Sequence, residues 1–539
     1  MSITVGTYLV ELLAANDIDC VFGIPGVHTL ELYRGLAAVK LRHVLVRHEQ
    51  AAGFAADGYA RISGRAAAAF VISGPGFTNI LTAVGQAYSD SVPLLVIASM
   101  PVRPSLGKHW GVLHEMKSQQ TVASGIFGVA RTAASAEDVR DHLRACLASL
   151  RVGRPRPAYL GIPLDLLAKS TDLVATRFPQ TPSGVDSAAA PIDAAIRLLD
   201  GARRPLIVAG GGARGARLEL RALVEKLDAL LVTTAAGKGL LPEQHGANLG
   251  ASLPYAPTQA LAASADVIVA VGTELSETDV YSGLRLPLTG RLIRIDIDAT
   301  KLCDHYAAEV PIWGDARSSL AAIGRGVSQR VGWRTALGGA ASTREAIRDS
   351  FGAMARAQWG ALRAIRSALP ADGVVFSDMT QIAYLGNYAY ATDAPGCWMH
   401  PSGYGTLGFA LPAAIGAKIA APARPVLALA GDYGLQFTIN ELITAVEQGV
   451  TLPIVVWNNA ALGQIRDDML AARIPPIGVV GRNPDFIALA QAYGAAASRV
   501  HEPEALESAI RGALKYAGPT LIEIRETDFL TASTLGSST

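Results

Sequence analysis

The run Val426-Leu427-Ala428-Leu429-Ala430-Gly431-Asp432-Tyr433, answered further on by Ile454-Val455-Val456-Trp457-Asn458-Asn459, decides how this chain folds. Each segment is a short, continuous apolar run that stops on polar turn residues. Such runs suit strands buried on both faces of a parallel sheet. Gly431-Asp432 and Asn458-Asn459 then stand at the C-terminal ends of two strands, where open α/β sheets bind ligands. A carboxylate from Asp432 and an amide oxygen from Asn459 could meet at one point. Oxygen ligands of this kind suit Mg²⁺, which also bridges to phosphates. Either dipeptide alone reads as ordinary turn chemistry. The pair, separated by 24 residues after Tyr433 and each following a strand, is a specific signal.

The same alternation extends outward. Ala68 to Ile72, Leu94 to Ala98, Pro205 to Ala209 and Val267 to Val271 read as further buried strands between Ala/Leu-rich helical stretches. This predicts doubly wound α/β layers. At 539 residues the chain exceeds a single core. Two changes of composition read as linkers: Thr176 to Pro191, with Phe178-Pro179-Gln180-Thr181-Pro182-Ser183-Gly184, and Gly338 to Ser342. The expected domains are residues 1–175, 190–335 and 350–539, the first and third being candidates for related layers.

Half the residues are hydrophobic, 17% are charged, and the formal net charge is +1. Without a Lys/Arg run, nucleic acid and anionic membranes are excluded as main partners. The low charge points to surface buried between subunits. Cys20, Cys146, Cys303 and Cys397 form no CxxC pair, as expected of free thiols in a reducing compartment. No basic-then-apolar leader opens the sequence, and no apolar run reaches the ~20 residues of a membrane span. A soluble, cytoplasmic protein is the expectation.

A second polar cluster lies near the start. Val44 to Val46 reads as a short strand, and Glu49 follows it within Arg47-His48-Glu49-Gln50-Ala51-Ala52-Gly53-Phe54-Ala55-Ala56-Asp57-Gly58-Tyr59-Ala60-Arg61. By itself Glu49 could be a solvated acid at a helix start.

Together these segments resemble the thiamine diphosphate (ThDP) enzymes, and within them the acetolactate synthase-like group. Gly431-Asp432 with Asn458-Asn459 resembles that family's GDG…NN motif. The resemblance implies three doubly wound domains of the pyruvate decarboxylase/acetolactate synthase type: a pyrimidine domain, a central domain and a diphosphate domain. It implies ThDP and Mg²⁺ as cofactors, with Asp432, Asn459 and the backbone carbonyl of Ala461 on the metal. Glu49 is implied as the acid that shares a proton with the aminopyrimidine of ThDP. Enclosure raises the pKa of a carboxyl and suits it to that task. Ser73-Gly74-Pro75-Gly76-Phe77-Thr78-Asn79 and Asp90-Ser91-Val92-Pro93-Leu94-Leu95 resemble the first domain of the same family. In Gly403-Tyr404-Gly405-Thr406-Leu407-Gly408, Gly405 and Leu407 are implied to lie beneath the cofactor, Leu407 as its apolar fulcrum. One departure is Tyr433, where the motif carries glycine; a side chain there must point away from the diphosphate.

In the middle of the chain, Gly210-Gly211-Gly212-Ala213-Arg214-Gly215 follows a strand. It reads as a tight strand-to-helix turn before it reads as a dinucleotide fingerprint. Gly272-Thr273-Glu274-Leu275-Ser276-Glu277 stands where acetolactate synthases carry a flavin-binding segment of different charge. FAD is therefore not expected, without being excluded.

The substrate must be read from pocket residues. Val27, in Gly23-Ile24-Pro25-Gly26-Val27-His28, occupies a place where several simple decarboxylases carry a proton-transferring side chain. His28 beside it and His114, in Leu113-His114-Glu115, are candidate acid/base groups of a type that titrates near working pH. A structural hydrogen bond is the alternative for each. After the metal segment, Leu462-Gly463-Gln464-Ile465-Arg466-Asp467-Asp468 places Asp468 where acetolactate synthases carry a pocket tryptophan. An acid facing a pocket is costly unless it meets a cation, which a 2-oxo acid with a guanidinium tail would supply. The alternative is that Asp467 and Asp468 favour a helix N-terminus. Val27-His28 and Glu31-Leu32-Tyr33 also resemble the 5-guanidino-2-oxopentanoate (2-ketoarginine) decarboxylases, a branch of the same group. Decarboxylation of such a 2-oxo acid is the first expectation, acetolactate synthesis the second, and a catalytically silent binding protein the third. The family also implies self-association, as a dimer or a tetramer, with Glu49 and Asp432 of different chains meeting at one cofactor.

Overall fold

The computed structural model describes residues 2–179, 184–281, 285–286, 288–336 and 339–535. A short antiparallel pair, β1 (Ile3–Thr4) with β8 (Ser170–Thr171), closes the first domain. The domain itself is built on a parallel sheet of β2 (Cys20–Gly23), β3 (Arg42–Leu45), β4 (Ala67–Val71), β5 (Leu94–Met100), β6 (Val129–Thr132) and β7 (Ala158–Pro163). The central sheet holds β9 (Pro205–Ala209), β10 (Leu230–Thr233), β11 (Val267–Val271), β12 (Arg291–Asp296) and β13 (Val310–Trp313), all parallel. The third contains β14 (Val374–Ser377), β15 (Trp398–Met399), β16 (Val426–Gly431), β17 (Leu452–Asn458), β18 (Ala496–Val500) and β19 (Pro519–Arg525).

The first sheet runs β3-β2-β4-β5-β7-β6 and the third β15-β14-β16-β17-β19-β18. Relabelled from their own first strands, the two orders are identical. Every residue of β4, β5 and β16 is buried, as continuous apolar runs require. The strands expected from the sequence lie within one or two residues of those observed. Residues 180–183 of the first expected linker and Gly338 of the second lie outside the described residues. Ser342 belongs to no linker: the helix Ala341–Asp349 takes it in.

Helix Glu49–Ser63 is buried from Ala51 to Tyr59 and on to Ala60. The His48 Nδ1 accepts from the Gln50 N–H at 3.1 Å to start it, and Gly64 in the left-handed region ends it. A helix apolar all round must be enclosed on several sides. Its partner is helix Ala410–Ala420, from the third domain, which is buried over Ala410–Ile419. The two meet backbone to backbone. A Cβ on Gly58 would lie 1.9 Å from the Ala413 carbonyl oxygen, and one on Gly416 would lie 1.8 Å from that of Ala55. One apolar core therefore runs from the first domain into the third, through Phe54, Phe376, Phe409 and Ile454. The central sheet has its own core on each face.

Candidate active site

Strands β16 and β17 are neighbours with Gly431 in register with Trp457, so Asp432 and Asn458-Asn459 emerge side by side. Asp432 is 2% exposed. Burial raises its pKa, opposed by donors from Asn483 and from the N–H groups of Tyr433 and Ala460. Beyond Asn459 the chain turns sharply at Ala460, which adopts φ +52°. The turn lets the Ala461 N–H donate back to Asn459 Oδ1 at 3.1 Å. Ala461 also forms an antiparallel bridge with Val480. Its two bonds, Leu462 N–H to the Val479 oxygen at 2.8 Å and Gly481 N–H to the Ala460 oxygen at 3.3 Å, leave the Ala461 carbonyl unused.

One buried carboxylate, one amide oxygen and one backbone carbonyl thus lie on the turns that end β16 and β17. That donor set fits a hard, oxygen-seeking divalent ion. Among the described residues no cluster of three His, Cys, Asp or Glu offers a different kind of metal site. Tyr433 reaches toward the segment after Val480. Its hydroxyl lies over Gly481, where an added Cβ would come within 2.2 Å of it.

The bed beside this corner is held from below. Asp378, 1% exposed at the end of β14, accepts from the Met379 N–H at 2.8 Å and the Gly408 N–H at 3.0 Å. Burial lifts its pKa to about 6 against the pull of these amides and those of Phe409 and Ala410. Asp378 thereby fixes the far end of the loop through Gly405 and Leu407, in which Gly405 adopts φ +70° and Leu407 is half-buried. At Gly431 a Cβ would stand 2.8 Å from Thr380 Oγ1, so the backbone lies open there only because the residue is glycine.

Glu49 begins its helix and is half-buried in the single chain. Asn79 Nδ2 donates to its Oε2 at 2.9 Å. The third domain reaches this corner through Glu441, 1% exposed, whose Oε1 accepts the N–H groups of Arg47 at 2.8 Å and His48 at 3.1 Å. An ion pair between Arg47 and Glu447 adds to the tie. His28 and His114 come together: their rings stand 4.7 Å apart, edge to face, with Nδ1 atoms 3.4 Å apart. His28 also shares a 2.5 Å hydrogen bond with Ser73 Oγ. Burial, and then His114, lower the pKa of His28. Gly74, at φ +63°, makes room for this pairing, since a Cβ would meet the His114 oxygen at 2.8 Å. Val27 projects outward, 64% exposed.

Asp467 and Asp468 do not cap a helix. Their helix starts four residues earlier and spans Gly463–Ala471. Asp467 is paired with Arg466 at 2.9 Å and accepts from Gln381 Nε2 at 2.8 Å. Asp468 is exposed; Gln464 Nε2 donates to it at 3.0 Å, and no cation pairs with it among the described residues.

A cavity of about 430 Å³ opens where the three domains meet, beside Gly210–Gly212. The glycine run is a tight turn, as expected: a Cβ on Gly210 would meet the Gly272 oxygen at 2.3 Å. Glu274 on its wall is held by Arg154 and by Lys301 at 2.8 Å. Burial works to raise its pKa, but the two cations prevail and bring it to about 2.

Asn483, Glu441, Asp378 and Gln86 are site supports that sequence reasoning missed. Asn483 precedes Pro484-Asp485, where Asp485 caps helix Phe486–Ala492, so the segment reads as a plain helix start. Gln86 lies inside a helix without any local signal.

Comparison with known proteins agrees with this geometry. Residues 3–122 match the model described as thiamine pyrophosphate enzyme, N-terminal TPP binding domain; residues 192–323 match its central domain; residues 378–524 match its C-terminal TPP binding domain. A Pseudomonas aeruginosa protein named Probable 2-ketoarginine decarboxylase AruI is 49% identical over 528 residues, spanning 97% of this chain and 94% of its own. The Acetolactate synthase isozyme 3 large subunit of Escherichia coli is 31% identical over 541 residues, spanning 94% and 91%. The Acetolactate synthase large subunit of Parasynechococcus marenigrum is 30% identical over 548 residues, spanning 96% and 86%. With three matched domains and a donor set that suits a metal diphosphate, the chain belongs to the thiamine pyrophosphate enzymes.

Proposed function

We propose that this protein decarboxylates a 2-oxo acid with a basic tail, 5-guanidino-2-oxopentanoate, using ThDP and Mg²⁺. The observation that carries the substrate class is Asp468: an acid seven residues beyond the last expected metal-holding residue, Ala461, and without a cationic partner among the described residues, while its neighbour Asp467 is neutralised by Arg466. The printed name of the Pseudomonas aeruginosa relative supports the same substrate.

Bound ThDP supplies the electron sink for loss of CO₂. The chain supplies the rest. Asp432, Asn459 and the Ala461 carbonyl would hold the metal. Glu49 would exchange a proton with the aminopyrimidine. The His28–His114 pair would move a proton to or from the reacting carbon, and Asp468 would orient the guanidinium. Non-oxidative decarboxylation needs no flavin, and the proposed reaction includes none.

Self-association belongs to the same reading. Glu49 is held by Asn79 of its own domain and Asp432 by Asn483 of another. Around His28 and His114, Val27, Leu30, Trp110 and Leu113 leave large apolar side chains exposed. A second copy across a two-fold axis would cover them and bring its own metal corner to Glu49, giving a dimer or a tetramer. Among the described residues no helix is long and apolar enough to cross a membrane, which suits the cytoplasmic setting we propose.

Acetolactate synthesis is the second reading, favoured by the 31% identity to the Escherichia coli subunit. CO₂ release from 5-guanidino-2-oxopentanoate and from pyruvate, with product identification, separates the two. CO₂ with 4-guanidinobutanal is the expected result. Acetolactate from pyruvate would establish the second reading, and no turnover of either would overturn both.

A further inference from the structure

We infer that Asn483 is a positioning residue that presets the metal corner by fixing which oxygen of Asp432 faces the ion. Its side-chain amide has two hydrogens, and both are committed. One goes to Asp432 Oδ2 at 2.6 Å and the other to Asn458 Oδ1 at 2.9 Å. The amide cannot turn over. Its Oδ1 accepts from Gln436 Nε2 at 3.1 Å, and the same Gln436 nitrogen donates to the backbone oxygen of Asp432 at 3.1 Å. A flipped Asn483 would press its own oxygen against the carboxylate and turn its NH₂ toward another NH₂.

The consequence is a division of labour. Oδ2 of Asp432 is occupied by Asn483, so the carboxylate offers one oxygen to a cation. Asn458 is also used up: its oxygen accepts from Asn483 and from the Ala460 N–H at 3.1 Å, and its Nδ2 donates to Glu523 at 2.7 Å. Asn458 therefore supports the turn, whereas Asn459 Oδ1 takes only one donor among the described residues, the Ala461 N–H at 3.1 Å, and keeps a lone pair for the ion. Mg²⁺ demands near-ideal geometry at about 2.0–2.1 Å, so it gains most from ligands fixed in advance.

The segment carrying Asn483 is seated for this task. It pairs with Ala460–Leu462 through the bridge at Val480, and Tyr433 rests its hydroxyl over Gly481. The tyrosine that replaces the motif's glycine thus packs on the loop that holds Asn483 against the metal carboxylate.

The inference rests on the metal-and-ThDP reading, and calorimetric titration of Mg²⁺ into metal-free full-length protein with fixed ThDP separates the two. Asn483→Leu keeps the bulk and removes both donors. Its Mg²⁺ half-saturation should rise about 10–100-fold, the scale of lost outer-shell support, with the metal-free protein still folded, as a cooperative thermal melt would show. Gln436→Met, which frees the amide to turn, should shift half-saturation in the same direction by less. Half-saturation within twofold of wild type in Asn483→Leu overturns the role of Asn483. If that variant does not fold, an unmoved Gln436→Met overturns it. Wild-type protein that binds ThDP equally with and without Mg²⁺ would instead remove the metal reading itself.

Discussion

The Gln86 side-chain oxygen accepts two hydrogen bonds from Thr406, one from its hydroxyl at 2.9 Å and one from its N–H at 3.3 Å. Gln86 is fully buried in a helix of the first domain, and Thr406 precedes Leu407 in the loop expected beneath the cofactor. The other end of the Gln86 amide donates to Asp90 at 2.8 Å, and Asp90 in turn holds Arg61 at 2.8 Å and the Gly403 N–H at 2.9 Å. The first domain therefore braces the Gly403–Gly408 loop of its own chain from behind.

Gln86→Leu should expose this dependence. The buried donors of Thr406 would lose their acceptor, at a cost of about 1–3 kcal/mol. Urea denaturation of the metal-free protein measures it. A change under 0.5 kcal/mol would show that the loop repairs its bonds elsewhere.

Glu49→Gln should leave the fold and ThDP affinity near wild type and cut turnover by roughly 10²-fold or more, the scale of a lost proton-transfer group. Steady-state kinetics alongside a ThDP titration give both numbers. Wild-type turnover would remove Glu49 from the chemistry.

Removing the proposed metal ligand acts on binding instead. Asp432→Ala, or EDTA treatment of wild-type protein, should abolish retention of ThDP through gel filtration. Retention by the variant at millimolar Mg²⁺ would mean that the ion is held without this carboxylate.

Asp468→Asn should lower kcat/KM for 5-guanidino-2-oxopentanoate relative to that for pyruvate. The loss is about 2–5 kcal/mol if the pair is desolvated, and much less if water reaches it. The ratio of the two constants cancels general damage to the site. An unchanged ratio would leave the basic-tail reading without its physical support and make acetolactate synthesis the better one.

Gly416→Val should prevent the close helix contact. Its first side-chain atom would overlap a backbone oxygen, which cannot rotate aside as a side chain can. Overpacking of this kind costs about 1–3 kcal/mol and occasionally more. A thermal melt within 2 °C of wild type would show that the two helices can separate without penalty.

The strands were legible because burial on both faces writes itself as continuous apolar runs. β9 and β11 match the runs read from the sequence residue for residue. Asp432 and Asn459 were legible for a related reason: each follows such a run. The supports were not. Gln86, Glu441 and Asn483 act on partners 320, 394 and 51 residues away, and no local pattern encodes a contact of that separation. The role of Asp467 was hidden likewise, since only the folded chain shows that Arg466 neutralises it while Asp468 stays open.

The glycine-lined contact between helices Glu49–Ser63 and Ala410–Ala420 also bears on how the protein is made. Its two faces are separated by about 360 residues of chain, so at roughly 5–20 residues per second the ribosome delivers the second only some 20–70 s after the first. During that interval the Ala-rich face of the first helix has no native cover. Nascent chains halted before residue 410 should accordingly expose it to chaperones and proteases, and chains released after residue 420 should not.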